Sequence, residues 1–134
     1  MTLRLSIVTP ARALVEADVD TVVAPGSEGE FGVLPGHAPL LAALKPGVVR
    51  YSTGSVTNAV VVGGGFAEVT QERVTVLAQV AEKAEQIDAA EAEARRARAQ
   101  SELHDAGYAA PPEETARLRE ALELAEARVE VLRH

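Results

Sequence analysis

The stretch VTNAVVVGGGFAEVTQERVTVL, residues 56–77, decides the fold class. Its runs Val56–Val62, Phe66–Val69 and Arg73–Leu77 are rich in β-branched residues, and glycines 63–65 interrupt them. Such runs, bounded by turn residues, read as strands. Upstream the same grammar continues. Leu3, Leu5 and Ile7 alternate with Arg4 and Ser6, and Val19, Thr21 and Val23 alternate with Asp18, Asp20 and Val22. A period of two places one set on a buried face. A further run covers Val48–Tyr51, and turn signals stand at Pro25-Gly26, Gly29, Pro35-Gly36, Pro46-Gly47 and Gly54. Short strands at this spacing predict an antiparallel sandwich or barrel over residues 1–86.

Downstream the grammar changes. Neither glycine nor proline occurs from Phe66 to Ala106. Asp88 followed by Glu91 predicts a helix N-cap, and Glu91 and Arg95 are spaced i,i+4. Gly107 is a natural stop, and Pro111-Pro112 restarts the chain at the first turn of a second helix. Leu118, Ala121, Leu122, Ala125, Val129 and Leu132 form an apolar stripe there. The first helix offers Ala90, Ala94 and Ala97 with Ile87, a face that buries little area. Residues 87–134 are therefore expected to form an antiparallel, weakly docked helical hairpin.

Composition excludes several function classes. The formal net charge of -7 disfavours nucleic acid as a partner, because neutralising phosphates needs clustered Lys and Arg. The same charge disfavours docking on anionic lipid. Without cysteine there is neither disulfide nor thiolate metal site. No apolar run is long enough to span a bilayer, and the first ten residues lack a signal-peptide core, so a soluble cytoplasmic chain is expected.

No motif carries chemistry. The glycines 63–65 lack a following Gly-Lys-Ser/Thr, and a strand follows them where a phosphate loop needs a helix, so a hairpin corner or bulge is expected. His37, His104 and His134 have no metal-ligand spacing. The serines lack a nucleophile elbow. Glu28 and Glu30, two apart in a glycine-rich loop, suit an interface with a cationic partner better than acid–base work. Arg95, Arg96 and Arg98 point several ways from one helix turn and read as a solvated face.

The run Gly26-Ser27-Glu28-Gly29-Glu30-Phe31-Gly32-Val33-Leu34-Pro35-Gly36-His37-Ala38-Pro39-Leu40-Leu41 resembles the signature loop of F-type ATP synthase ε subunits. Lys45–Tyr51, Gly64–Val69 and Val74–Ala78 resemble the family's following blocks, in order and spacing. The resemblance implies a ten-stranded β-sandwich followed by a two-helix hairpin. It implies a non-catalytic rotor subunit, peripheral on the cytoplasmic face of a bacterial membrane. The sandwich is then expected to bind the γ subunit near Thr9, and the c-ring through the loops of Glu28, Glu30 and His37. An extended hairpin would reach the α and β subunits and oppose hydrolysis, with Arg95, Arg96, Arg98, Arg117, Arg119 and Arg128 as its basic residues. Some members bind ATP through Ile/Leu-Asp-x-x-Arg-Ala. Here Ile87, Asp88 and Ala92 match, but Glu91 holds the arginine position and repels phosphate, with Arg95 one turn on. No cofactor is expected, and ATP binding is expected to be weak or absent. A free-standing adaptor and an ATP-gated sensor are the competing readings.

Overall fold

A computed structural model describes residues 1–133. Eight strands come first: β1 (Leu3–Val8), β2 (Ala13–Val19), β3 (Thr21–Gly26), β4 (Gly29–Val33), β5 (Leu40–Thr53), β6 (Val56–Val69), β7 (Arg73–Leu77) and β8 (Ala81–Lys83). A short 3₁₀ turn leads to α1 (Ala89–Ala106), a second to α2 (Pro112–Val131). The sheet order is β2-β1-β7-β6-β5-β3-β4, and β8 also pairs with β6.

The long hairpin of β5 and β6 makes this one sheet into two layers. The C-terminal half of β6 pairs with β7 at Phe66–Val69, and its N-terminal half pairs with β8 at Val60–Val62. Between the two halves lie Gly63–Gly65, opposite Leu44–Pro46. Leu3, Leu5, Ile7, Val22, Val49, Val60, Val62, Val74 and Val76 fill the space between the layers and are almost fully buried.

The count of eight strands, not ten, follows from this hairpin. Pro46-Gly47 and Gly63–Gly65 are not ends of strands. Both β5 and β6 run through them, and the pairing keeps one register from Leu40↔Val69 to Thr53↔Val56. The glycines are thus a bend without an inserted residue, where a corner or bulge was expected. The sheet is also not wholly antiparallel, since β1 and β7 are parallel. Two strands so far apart in sequence are not bound to the geometry of a tight hairpin. Finally, Val19, Thr21 and Val23 do not share a face. Asp20 breaks the chain between β2 and β3, which shifts the alternation by one and buries Val19 and Val22.

Three consecutive buried valines in β6 reveal a second packing surface. Val60 and Val62 face the sandwich core, while Val61 faces outward and is also fully buried. What covers it is α2. Ala127 and Val131, with Leu124 beside them, pack on Val48 and Val61. Burying a valine side chain stabilises by roughly 1.5–3 kcal/mol, an alanine much less. The main core contains no residue from either helix.

The helix ends behave as expected. The Asp88 carboxylate accepts from the Glu91 N–H at 2.9 Å, Gly107 at φ 56° ends α1, and Pro112 opens α2. The faces do not. Ala90, Ala94 and Ala97 point to solvent, and the buried alanine of α1 is Ala92, with half-buried Arg96, Ala99 and Leu103 on its side. Alanine occurs all round this helix, so its spacing could not select a face. In α2 the single stripe is really two. Leu118 and Ala125 are buried along with Ala127 and Val131 of the sheet-facing side, where Leu124 is half-buried, and Ala121 is exposed. α1 packs chiefly against α2, so it forms an outer layer.

Candidate functional site

One sheet face is left uncovered by the chain's own helices. On the layer opposite α2, Ala13, Val8, Leu77, Phe66 and Ala43 are successive cross-strand partners. Their neighbours Leu5, Val74, Val76, Ala67 and Val69 point inward, so this row points out. Phe66 is 54% exposed, Leu77 53% and nearby Leu41 70%. Phe66 and Leu77 line a groove of about 410 Å³ with Val8, Thr9, Pro10 and Gly65. The far end of the same face is charged: Arg4 pairs with Glu16 at 3.5 Å and Asp18 at 3.4 Å. An apolar strip beside a polar border has the anatomy of a protein-binding surface.

Thr9 sits at the rim of this groove. Its N–H donates to the Arg12 carbonyl at 2.9 Å, and its hydroxyl also bonds within that turn, which fixes the rim. Sequence reading singled out Thr9 but not Phe66 or Leu77. The signal was there: in Phe66–Val69 the inward residues are Ala67 and Val69, which leaves a large aromatic at a position where alternation calls for a polar side chain.

The turn of Glu28 and the loop of His37 flank β4, one at each end, and Glu30, expected in a loop, is the second residue of the strand itself. Glu28 lies at the tip of the β3–β4 turn, which Ser27 ties to β5 by its N–H (2.9 Å) and hydroxyl (3.1 Å) on the Ala43 carbonyl. The loop of His37 is tied instead to the β6–β7 turn, through the Gly36 N–H on the Gln71 carbonyl at 2.8 Å. Glu28, Glu30 and Leu34 are exposed. Glu30 also borders a cleft of about 430 Å³ between β5 and α2, together with Lys45, Arg50, Glu123, Glu126 and Glu130. His37 and His104 stand on separate elements, and His134 lies outside the described residues.

Ile87, Asp88, Ala92 and Arg95 do come together. With Glu82, Gln86, Glu91 and Arg128 they line a cleft of about 140 Å³. Every charged group there already has a use. Asp88 caps α1, Glu91 pairs with Arg95, and Arg128 donates from Nε to Glu82 Oε1 at 2.6 Å. Ile87 and Ala92 serve as apolar packing. The cleft lies below the roughly 300 Å³ at which small-molecule sites begin, and its carboxylates outnumber its guanidiniums.

Of the basic residues of the helices, Arg95, Arg98 and Arg128 line one cleft between α1 and α2. Arg96 is held by Glu93 and Gln100 on its own helix, and that hydrogen bond holds the Glu93 carboxyl below its usual range. Arg98, Arg117 and Arg119 are exposed and form no ion pair among the described residues.

Residues 2–84 match a family model described as the ATP synthase, Delta/Epsilon chain, beta-sandwich domain. The ATP synthase epsilon chain of Pelotomaculum thermopropionicum is 55% identical over 102 residues, 76% of this chain and 76% of that one. That of Anoxybacillus flavithermus is 51% identical over 102 residues, again 76% of each chain. A chain in the structure of the Euglena gracilis mitochondrial ATP synthase, OSCP/F1/c-ring, superposes with a TM-score of 0.81, covering 99% of this chain and 82% of that one. At 24% identity that likeness is one of fold.

Proposed function

The chain belongs to the ATP synthase epsilon chains, non-catalytic subunits of that complex, and we propose that its uncovered sheet face docks the γ subunit. Phe66 and Leu77 form the centre of that contact, and Thr9 forms its rim. Glu28, Glu30 and His37 meet the c-ring from the two ends of β4, so that torque passes through a rigid sandwich made of residues 1–86. The assembly lies on the cytoplasmic face of a bacterial membrane. No helix of the described residues is long and apolar enough to cross it. Residues 87–134 are the regulatory part, which restrains hydrolysis when it extends toward the α and β subunits.

The observation that carries this reading is the asymmetry of the two sheet faces. One is covered by α2, and the other exposes Phe66, Leu77 and Leu41. A chain with a small core gains nothing from such exposure unless a partner covers it. The direct test is co-elution of the full chain with γ, and failure to form that complex removes the reading.

Nucleotide plays no part in holding this hairpin down. The support is the state of the cleft around Asp88, where Glu91 stands in place of an arginine and both guanidiniums are engaged by carboxylates. Titration of the full chain with ATP should show no saturation below about 1 mM, equivalent to a binding free energy weaker than about -4 kcal/mol. A dissociation constant in the low micromolar range would overturn this.

A further inference from the structure

The path of the chain makes α2 the element whose release frees the hairpin. α1 is tethered at both ends, to the sandwich through Ile87-Asp88 and to α2 through Gly107–Pro111. It packs on α2 and makes no comparable contact with the strands. α2 is held between α1 and strands β5 and β6. Its apolar seam is thin, with Ala127 and Val131 over Val48 and Val61.

Two ion pairs cross that seam. Arg50 and Glu130 are 3.7 Å apart, and Glu130 is 54% exposed, a geometry that contributes little. Arg128 and Glu82 differ in every respect. Arg128 Nε donates to Glu82 Oε1 at 2.6 Å and Nη2 to Oε2 at 3.5 Å. The side chains are only 15% and 30% exposed. Glu82 is the cross-strand partner of Val61, so β8 presents it to the same face that α2 covers. A charge-assisted fork of this kind is strong and directional. Removing one partner leaves the other desolvated and unpaired as long as the helix stays docked.

We infer that the Glu82–Arg128 pair is a latch that selects the docked hairpin without a bound ligand. The strand supplies the carboxylate that satisfies Arg128, so the docked state is complete within the chain itself. The latch is independent of γ and of the c-ring, and it is tested on the full chain alone.

The chain has no cysteine, so spin labels can be placed at Thr57→Cys on β6 and Glu120→Cys on α2, both exposed. Pulsed dipolar spectroscopy then reads the ratio of undocked to docked hairpin. In the parent, one docked distance population is expected. Glu82→Gln and Arg128→Gln should each raise the undocked-to-docked ratio at least tenfold. Glu82→Arg combined with Arg128→Glu should bring it back toward the parent. The single variants remove opposite ends of the pair, so either one suffices if the other fails to fold, and a cooperative urea transition identifies the folded ones. Parent-like ratios in a folded single variant would overturn the latch. So would a folded charge-swapped chain as undocked as the single variants.

Discussion

Glutamate at both Phe66 and Leu77 should weaken binding of the chain to γ by at least about 100-fold, while the urea midpoint of the free chain barely moves. The two effects separate because both side chains are about half exposed in the isolated chain. Surface substitutions away from buried features change stability by about 0.5 kcal/mol or less. At the centre of an interface the loss is larger. Truncating a central aromatic or aliphatic anchor costs about 2 kcal/mol or more, and a buried carboxylate adds its own desolvation. Every 1.4 kcal/mol is about tenfold in affinity, so two such positions exceed about 100-fold. Calorimetric titration of γ checks the first half and denaturant unfolding the second. Unchanged affinity would move the docking face elsewhere on the sandwich.

The second large effect concerns the fold itself. Gly65→Ala should cost about 3 kcal/mol or more of stability. Gly65 lies in the bend of β6 at φ +123°, a conformation that side chains rarely adopt. An added Cβ would lie 2.0 Å from the Leu77 carbonyl oxygen and 2.9 Å from Ala78 Cα, and both neighbours are backbone. The strand can relieve that overlap only by moving away from β7, which breaks the row that carries Phe66. Gly107→Ala provides the contrast. Gly107 also has positive φ, but a Cβ there meets open space, so the expected cost is only about 1 kcal/mol. Denaturant unfolding of the two variants should show that difference, and equal costs would mean that the bend of β6 is not tightly packed.

The bend also explains what could and could not be read from the sequence. Proline and glycine carry two meanings in a strand protein: they end strands, and they let long strands fold over. Pro46 and Gly63–Gly65 have the second meaning here. Only the partner strand reveals it, and the partner is fixed by tertiary pairing. The caps and stops of the helices were legible because Asp88, Gly107 and Pro112 act on their own backbone. The inner face of α1 was not, because the neighbour selects it and alanines lie on every side.

The candidate site divides in the same way. Glu28, His37 and Thr9 are residues of turns or loops and Glu30 follows such a turn directly, and turns are visible in a sequence through their glycines and prolines. The apolar row of Val8, Leu77 and Phe66 comes from three strands, one of them parallel to its neighbour. No single segment announces it. The pairing of Glu82 with Arg128 spans 46 residues and is equally silent in the linear chain.

In the proposed function, coupling resides in the sandwich and restraint in the hairpin. The sandwich core is closed without either helix, so a chain ending at Gln86 retains it. The most direct measurement is ATP hydrolysis by the catalytic head with γ, after addition of either the full chain or the chain ending at Gln86, with binding of each verified. Both chains should bind γ, and only the full chain should slow hydrolysis. Equal slowing by both chains, or slowing by neither while both are bound, would contradict it.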